Sequence, residues 1–76
     1  MSQPIELSCL GMKCPRPIIE LAKLSRRVGP GSTIRVVADD LAFESDVKAW
    51  CETTKAELLT LEKAGTGLVA TLRLPG

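Results

Sequence analysis

The sequence contains no histidine and no tyrosine, and its only aromatic residues are Phe43 and Trp50. Without histidine there is no cysteine–histidine pair for nucleophilic catalysis, and a zinc site built from cysteines alone would lack a fourth ligand. Two aromatic residues provide no stacking platform for single-stranded nucleic acid. No cofactor-binding motif is found either. We therefore expect no metal, no cofactor and no direct nucleic-acid binding.

Net charge, cysteine content and hydrophobic run length are also low. The formal net charge is +1, and the three cysteines, Cys9, Cys14 and Cys51, are an odd number that does not suit a disulfide framework. Every apolar run is far shorter than the ~20 residues of a membrane-spanning helix. No basic-then-apolar signal precedes the first predicted strand. These features predict a cytoplasmic protein with no membrane association.

What remains is an ordinary globular composition, with 45% hydrophobic and 25% charged residues in 76 positions. This length predicts a single domain over residues 1–76. A chain this short buries only about 60% of its unfolded surface. The core should be modest, and function should lie at the surface.

Hydrophobic spacing predicts six elements in the order βαβαββ. A strand, a helix of this length and a second strand indicate parallel pairing of the first two strands. We therefore predict an α/β (α+β) two-layer sandwich, in which a four-stranded mixed sheet carries two helices on one face. The predicted strands are Ile5–Cys9, Thr33–Ala38, Glu57–Lys63 and Leu68–Leu74, and the predicted helices are Pro15–Val28 and about Leu41 to Thr53.

The segment Gly11-Met12-Lys13-Cys14-Pro15-Arg16-Pro17 places a cysteine directly before two prolines at the start of the first predicted helix. At or next to the N-cap, Cys14 would face the free amides of Arg16 and Ile18 and the positive end of the helix dipole. Lys13 and Arg16 flank it. The pattern predicts a reactive thiol with a pKa below its usual value of about 8.5. A buried structural cysteine is the alternative.

The neighbouring residues suit this interpretation. Pro15 is compatible with the first helical position, and Pro17 falls among the first four residues, whose amides lack helical partners. Gly11 lets the backbone turn without a Cβ penalty. Together these residues begin a helix rather than break one.

The predicted parallel pairing brings the loops Gly11–Cys14 and Asp39–Asp40 to the same edge of the sheet, where open α/β sheets usually place their sites. Asp40 is a suitable N-cap for the second helix. A carboxylate that approached Cys14 would raise the pKa of the thiol.

Two other functions are compatible with the residues. The first helix has a basic bias, so a non-catalytic interaction module could dock a partner through it, with Ile19 partly exposed near Cys14. Cys9 and Cys14 could instead form a thiol redox switch, although Cys9 is more simply a small core residue, as is Cys51. The candidate docking residues are Ile19, Lys23 and Arg27.

The seven-residue segment also resembles the Gly-x-x-Cys-Pro-x-Pro motif of the TusA/SirA sulfur-carrier family. The similarity extends along the chain through Pro30-Gly31, Val37-Ala38-Asp39-Asp40, Asp46-Val47, Trp50 and Glu57-Leu58-Leu59. The chain departs from the family pattern at Ser8, Leu41 and Lys55, where aspartate, proline and glycine are common.

The resemblance implies that Cys14 accepts a sulfane sulfur as a persulfide and passes it to a partner, so that the protein acts as a sulfurtransferase-type carrier. Pro15 and Pro17 would shape the helix start, and Gly11 the loop. The implied partners are a donor protein, such as a cysteine desulfurase or a rhodanese-like enzyme, and an acceptor protein. Family acceptors serve tRNA thiolation, sulfur oxidation or molybdenum-cofactor pathways. We expect the carrier itself to be a monomer.

Overall fold

The computed structural model describes residues 3–76, so the first two residues of the predicted domain lie outside the described residues. Within this range the six elements occur in the predicted order βαβαββ. They are β1 (Ile5–Cys9), α1 (Arg16–Val28), β2 (Thr33–Ala38), α2 (Phe43–Thr54), β3 (Glu57–Ala64) and β4 (Gly67–Arg73).

The four strands form one mixed sheet in the order β1-β2-β4-β3. Strands β1 and β2 are parallel, as predicted, with Cys9 opposite Ala38 at their carboxyl ends. Strand β4 runs antiparallel to both β2 and β3. The loops that follow β1 and β2 therefore leave the sheet at the same edge.

The core lies between the sheet and the two helices, which confirms the predicted two-layer fold. Alternation along β1 and β2 directs every second side chain into this layer, and both helices contribute one apolar stripe. Neither helix is long and apolar enough to cross a membrane. The largest fully buried side chains are Phe43, Leu21, Ile34, Leu72, Val36, Val47, Pro17 and Cys9.

Helix α1 begins one residue later than predicted. The carbonyl of Pro15 accepts hydrogen bonds from the amides of Ile18 and Ile19, both at 3.1 Å, so Pro15 is the N-cap and not the first helical residue. Pro17 is the second helical residue and is fully buried. The two prolines thus begin the helix, and Pro17 also packs in the core.

Helix α2 begins at Phe43, two residues later than predicted, and its N-cap is Ala42; the prediction that Asp40 is the N-cap is wrong, because Asp40 stabilises a turn that comes first. The Asp40 side chain accepts a hydrogen bond from the amide of Ala42 at 3.1 Å, and its carbonyl accepts one from the amide of Phe43 at 3.1 Å. At the other end, Lys55 caps the helix in the left-handed region, with φ of 68°.

Candidate functional site

Cys14 lies in the loop between β1 and α1 and is exposed, while Cys9 and Cys51 are buried. All three thiols are free. The loop turns at Gly11, which has a φ of 80°. The Gly11 amide donates a hydrogen bond to Asp39 Oδ1 at 3.0 Å. This contact ties the cysteine loop to the end of β2, and it confirms that the two predicted loops meet at one edge.

The amides expected to face Cys14 are already occupied. The Arg16 amide donates to the Lys13 carbonyl at 2.7 Å, and the Ile18 amide donates to the Pro15 carbonyl. The Arg16 side chain is directed to Glu20, with Nε and Oε2 3.4 Å apart. The Cys14–Pro15 peptide bond is cis. Because both amides already donate to backbone carbonyls, the prediction that the Arg16 and Ile18 amides stabilise a thiolate is wrong.

The contact of the thiol is instead with a carboxylate. Cys14 Sγ donates a hydrogen bond to Asp46 Oδ2 at 2.8 Å. Asp46 lies in the first turn of α2, 32 residues along the chain from the cysteine. A hydrogen bond of this kind requires the thiol to keep its proton, because a thiolate has no proton to donate.

The pKa of Cys14 accordingly lies above its ordinary value, with the hydrogen bond to Asp46 as the largest cause. Desolvation and the negative charges of Asp46 and Asp40 raise this pKa further. The prediction of a lowered pKa is wrong, because the neighbours Lys13 and Arg16 do not outweigh the two carboxylates.

Asp46 is the site residue that the sequence interpretation missed. The predicted meeting of two loops at one sheet edge indicated Asp39 and Asp40 as neighbours of the thiol. The Asp39 carboxylate instead accepts from the Gly11 amide, and the Asp40 carboxylate accepts from the Ala42 amide. The available signal was the position of Asp46 in the first turn of a helix that begins at this same edge. Its side-chain direction depends on how far α2 is rotated about its axis, which hydrophobic spacing sets only roughly.

Potential cation ligands also meet here: Cys14, Asp40 and Asp46 offer atoms that all lie within 4.8 Å of one another. The set is one thiol and two carboxylates, and the chain has no histidine to extend it. Exposed acidic groups are often this close in proteins without an ion, so we assign no metal to the cluster. The expected absence of a metal stays a prediction.

The candidate docking residues lie along α1. Ile19 is 45% exposed, and Leu10 and Leu41 add exposed apolar surface from the loops that follow β1 and β2. Lys23 Nζ lies 3.8 Å from Glu20 Oε2, and the same carboxylate pairs with Arg16. Glu20 therefore neutralises part of the positive charge on this helix. Arg27 is exposed in the last turn of the helix.

The fold and the site define a class of protein: a small two-layer α/β protein with one accessible thiol in the loop between its first strand and its first helix. Comparison with protein families gives the particular family. The family model described as Sulfurtransferase TusA matches residues 5–74. The chain therefore belongs to the TusA family, which confirms the resemblance seen in the motif. Membership supports a sulfur-carrier role in general, in a relay with partner proteins.

Proposed function

We propose that the protein is a cytoplasmic carrier that accepts a sulfane sulfur as a persulfide on Cys14 and hands it to a partner protein. The observation that supports this proposal best is the exposure of Cys14 at the helix start, while the other two cysteines are buried. Only an accessible sulfur can meet a sulfur on another protein. Gly11, Pro15 and Pro17 position the thiol, and Lys13 and Arg16 flank it at the surface.

The proposed transfer is a thiol exchange. Cys14 Sγ loses its proton and attacks the outer sulfur of a persulfide on the donor, the sulfur–sulfur bond of the donor breaks, and the donor cysteine leaves as a thiolate that is then protonated. The sulfane sulfur keeps its oxidation state, so the step needs no oxidant or reductant. The same exchange with an acceptor thiol unloads Cys14.

The donor we propose is a cysteine desulfurase or a rhodanese-like enzyme, and the acceptor a protein of tRNA thiolation, sulfur oxidation or molybdenum-cofactor synthesis. Ile19, Lys23 and Arg27 are the proposed docking residues on α1. Their position on the helix that begins beside Cys14 would let a bound partner reach the thiol.

Intact mass spectrometry tests the proposal after incubation with a cysteine desulfurase and free cysteine. We expect one added sulfur on the wild type, which is lost on reduction. Cys14→Ser should gain none, whereas the matched control Cys51→Ala should gain sulfur as the wild type does. A wild type that stays unmodified with both desulfurase and rhodanese-like donors would refute the function.

A further inference from the structure

Three carboxylates meet at the exposed edge of the sheet, and each has a different bond partner. Asp39 accepts from the Gly11 amide, Asp40 accepts from the Ala42 amide, and Asp46 accepts from the Cys14 thiol. The first two carboxylates bind backbone amides and so stabilise the loops after β1 and β2. The third holds the atom on which the proposed sulfur transfer depends.

Among the described residues, no positive charge is paired with this thiol–carboxylate contact. Lys48, the nearest basic residue of α2 in sequence, binds Glu44 with Nζ and Oε2 3.0 Å apart, and Arg16 of α1 is directed to Glu20. Within residues 3–76 no basic side chain lies within salt-bridge distance of Asp46 or Asp40. The contact therefore carries a net negative charge that faces solvent beside the thiol.

We propose that Asp46 is a positioning residue that restrains Cys14. In the free carrier its carboxylate keeps the thiol protonated and directed at α2, and a cationic group of the docked sulfur donor releases the thiol by pairing with that carboxylate. The restraint rests on the hydrogen bond, and its part in sulfur transfer rests on the function proposed above.

The groups around the thiol support this assignment. Asp46 faces it from α2 and Asp40 from the loop after β2, and both act against a thiolate. Lys13 and Arg16 flank it on its own side. A partner cation that paired with Asp46 would remove the larger of the two repulsions. The released proton would pass to solvent, and Sγ would attack the outer sulfur of the donor persulfide.

The pH dependence of Cys14 alkylation by iodoacetamide, followed by mass spectrometry of the Cys14 peptide, tests the restraint without any sulfur transfer. Asp46→Asn keeps the shape of the side chain and removes its charge. We expect the titration midpoint of its rate to fall. Because a thiolate of lower pKa is also a weaker nucleophile, the rate at pH 7 should rise about threefold for each unit of that fall.

Glu44→Gln is the matched control, since Glu44 is an exposed carboxylate of the same helix that binds Lys48 and not the thiol. Its profile should match the wild type. Asp40→Asn serves as a second variant and should lower the midpoint by less than Asp46→Asn. Circular dichroism checks the folding of each variant. Coincident profiles for Asp46→Asn and the wild type, or slower alkylation of Asp46→Asn at every pH, would overturn the restraint.

Sulfur loading then tests the release by the donor. With inorganic polysulfide as the sulfur source, Asp46→Asn should load faster than the wild type. With a desulfurase as donor, the KM of Asp46→Asn for the donor should rise, because the variant lacks the carboxylate with which the donor cation pairs. Its rate at saturation should stay within about twofold of the wild type, because the docked donor already neutralises Asp46 in the wild type. A saturated rate that rises as much as the polysulfide rate would overturn the partner step. A wild type that never gains sulfur would refute the carrier function, while the alkylation profiles would still report on Asp46.

Discussion

At the scale of single residues, the three cysteines differ in their surroundings. Cys9 is 0% exposed and Cys51 is 5% exposed, and burial raises the pKa of both thiols. The pKa of Cys14 is raised for another reason, the hydrogen bond to Asp46, although its sulfur is accessible. Accessibility therefore separates Cys14 from the other two, and a low pKa does not.

We expect alkylation of the native protein at neutral pH to modify Cys14 and to leave Cys9 and Cys51 intact. A buried thiol reacts only after the structure opens, so the alkylation rates of Cys9 and Cys51 should be at least about a hundredfold lower than that of Cys14. Peptide mass spectrometry after a timed quench measures each site, and the denatured protein, in which all three should react, is the control. Rapid native labelling of Cys9, or a Cys9–Cys14 disulfide on mild oxidation, would instead favour a redox switch.

The sequence indicated the burial of Cys9 because alternation along a strand fixes the face of each side chain. It indicated an accessible Cys14 because charged and proline residues flank this cysteine at the start of a helix. The Cys14–Asp46 contact joins two elements whose relative rotation depends on the packing of the whole core. No local pattern contains that information, so the direction of the pKa shift was predicted wrongly.

At the scale of elements, both helix starts are governed by the residues before them. Pro15 supplies the first accepting carbonyl of α1, and Asp40 stabilises the turn that precedes α2. Local sequence signals placed these boundaries within two residues of their observed positions, although the N-caps are Pro15 and Ala42 and the predicted cap Asp40 lies in the turn before α2. The end of α2 has a less favourable cap, since Lys55 adopts a left-handed conformation that usually suits glycine.

Lys55→Gly should therefore stabilise the protein by about 0.5–1 kcal/mol. Glycine avoids a left-handed penalty of roughly 1–2 kcal/mol, and part of the gain is offset by the larger entropy of the unfolded chain. Urea unfolding measures the change.

The matched control is Glu52→Gly, in the exposed part of the same helix, which should destabilise by about 1 kcal/mol. Equal destabilisation by both substitutions would contradict this account of the helix end.

At the scale of the whole molecule, the layers and the parallel β1–β2 pair were predictable because a strand–helix–strand unit has few compact arrangements. The strand order β1-β2-β4-β3 was not. Hydrophobic alternation indicates which face of β4 is buried, but β4 could satisfy that requirement at several positions in the sheet.

Burial of the Cys9 and Cys51 thiols predicts how stability depends on pH. In the unfolded chain these thiols titrate near their ordinary pKa of about 8.5, whereas the folded state holds their protons to higher pH. Well below that value both states are protonated, and the two thiols have no effect on the pH dependence of the free energy of unfolding. Above it the unfolded state has lost protons that the native state keeps, so the free energy of unfolding falls as pH rises.

Urea unfolding between pH 7 and about pH 11, a range that covers the thiol titration, measures this dependence. Comparison with Cys51→Ala isolates the contribution of the Cys51 thiol to this dependence. The variant should show a shallower alkaline decline than the wild type, and parallel curves would contradict the assignment.

The position of β4 between β2 and β3 also bears on how the protein is made. As the polypeptide leaves the ribosome, β2 and β3 emerge with no hydrogen bonds between them, because the strand that joins them is translated after both. The sheet can close only when β4 is free of the exit tunnel. A nascent chain that stops before β4 therefore leaves the edges of β2 and β3 open to pairing with other chains.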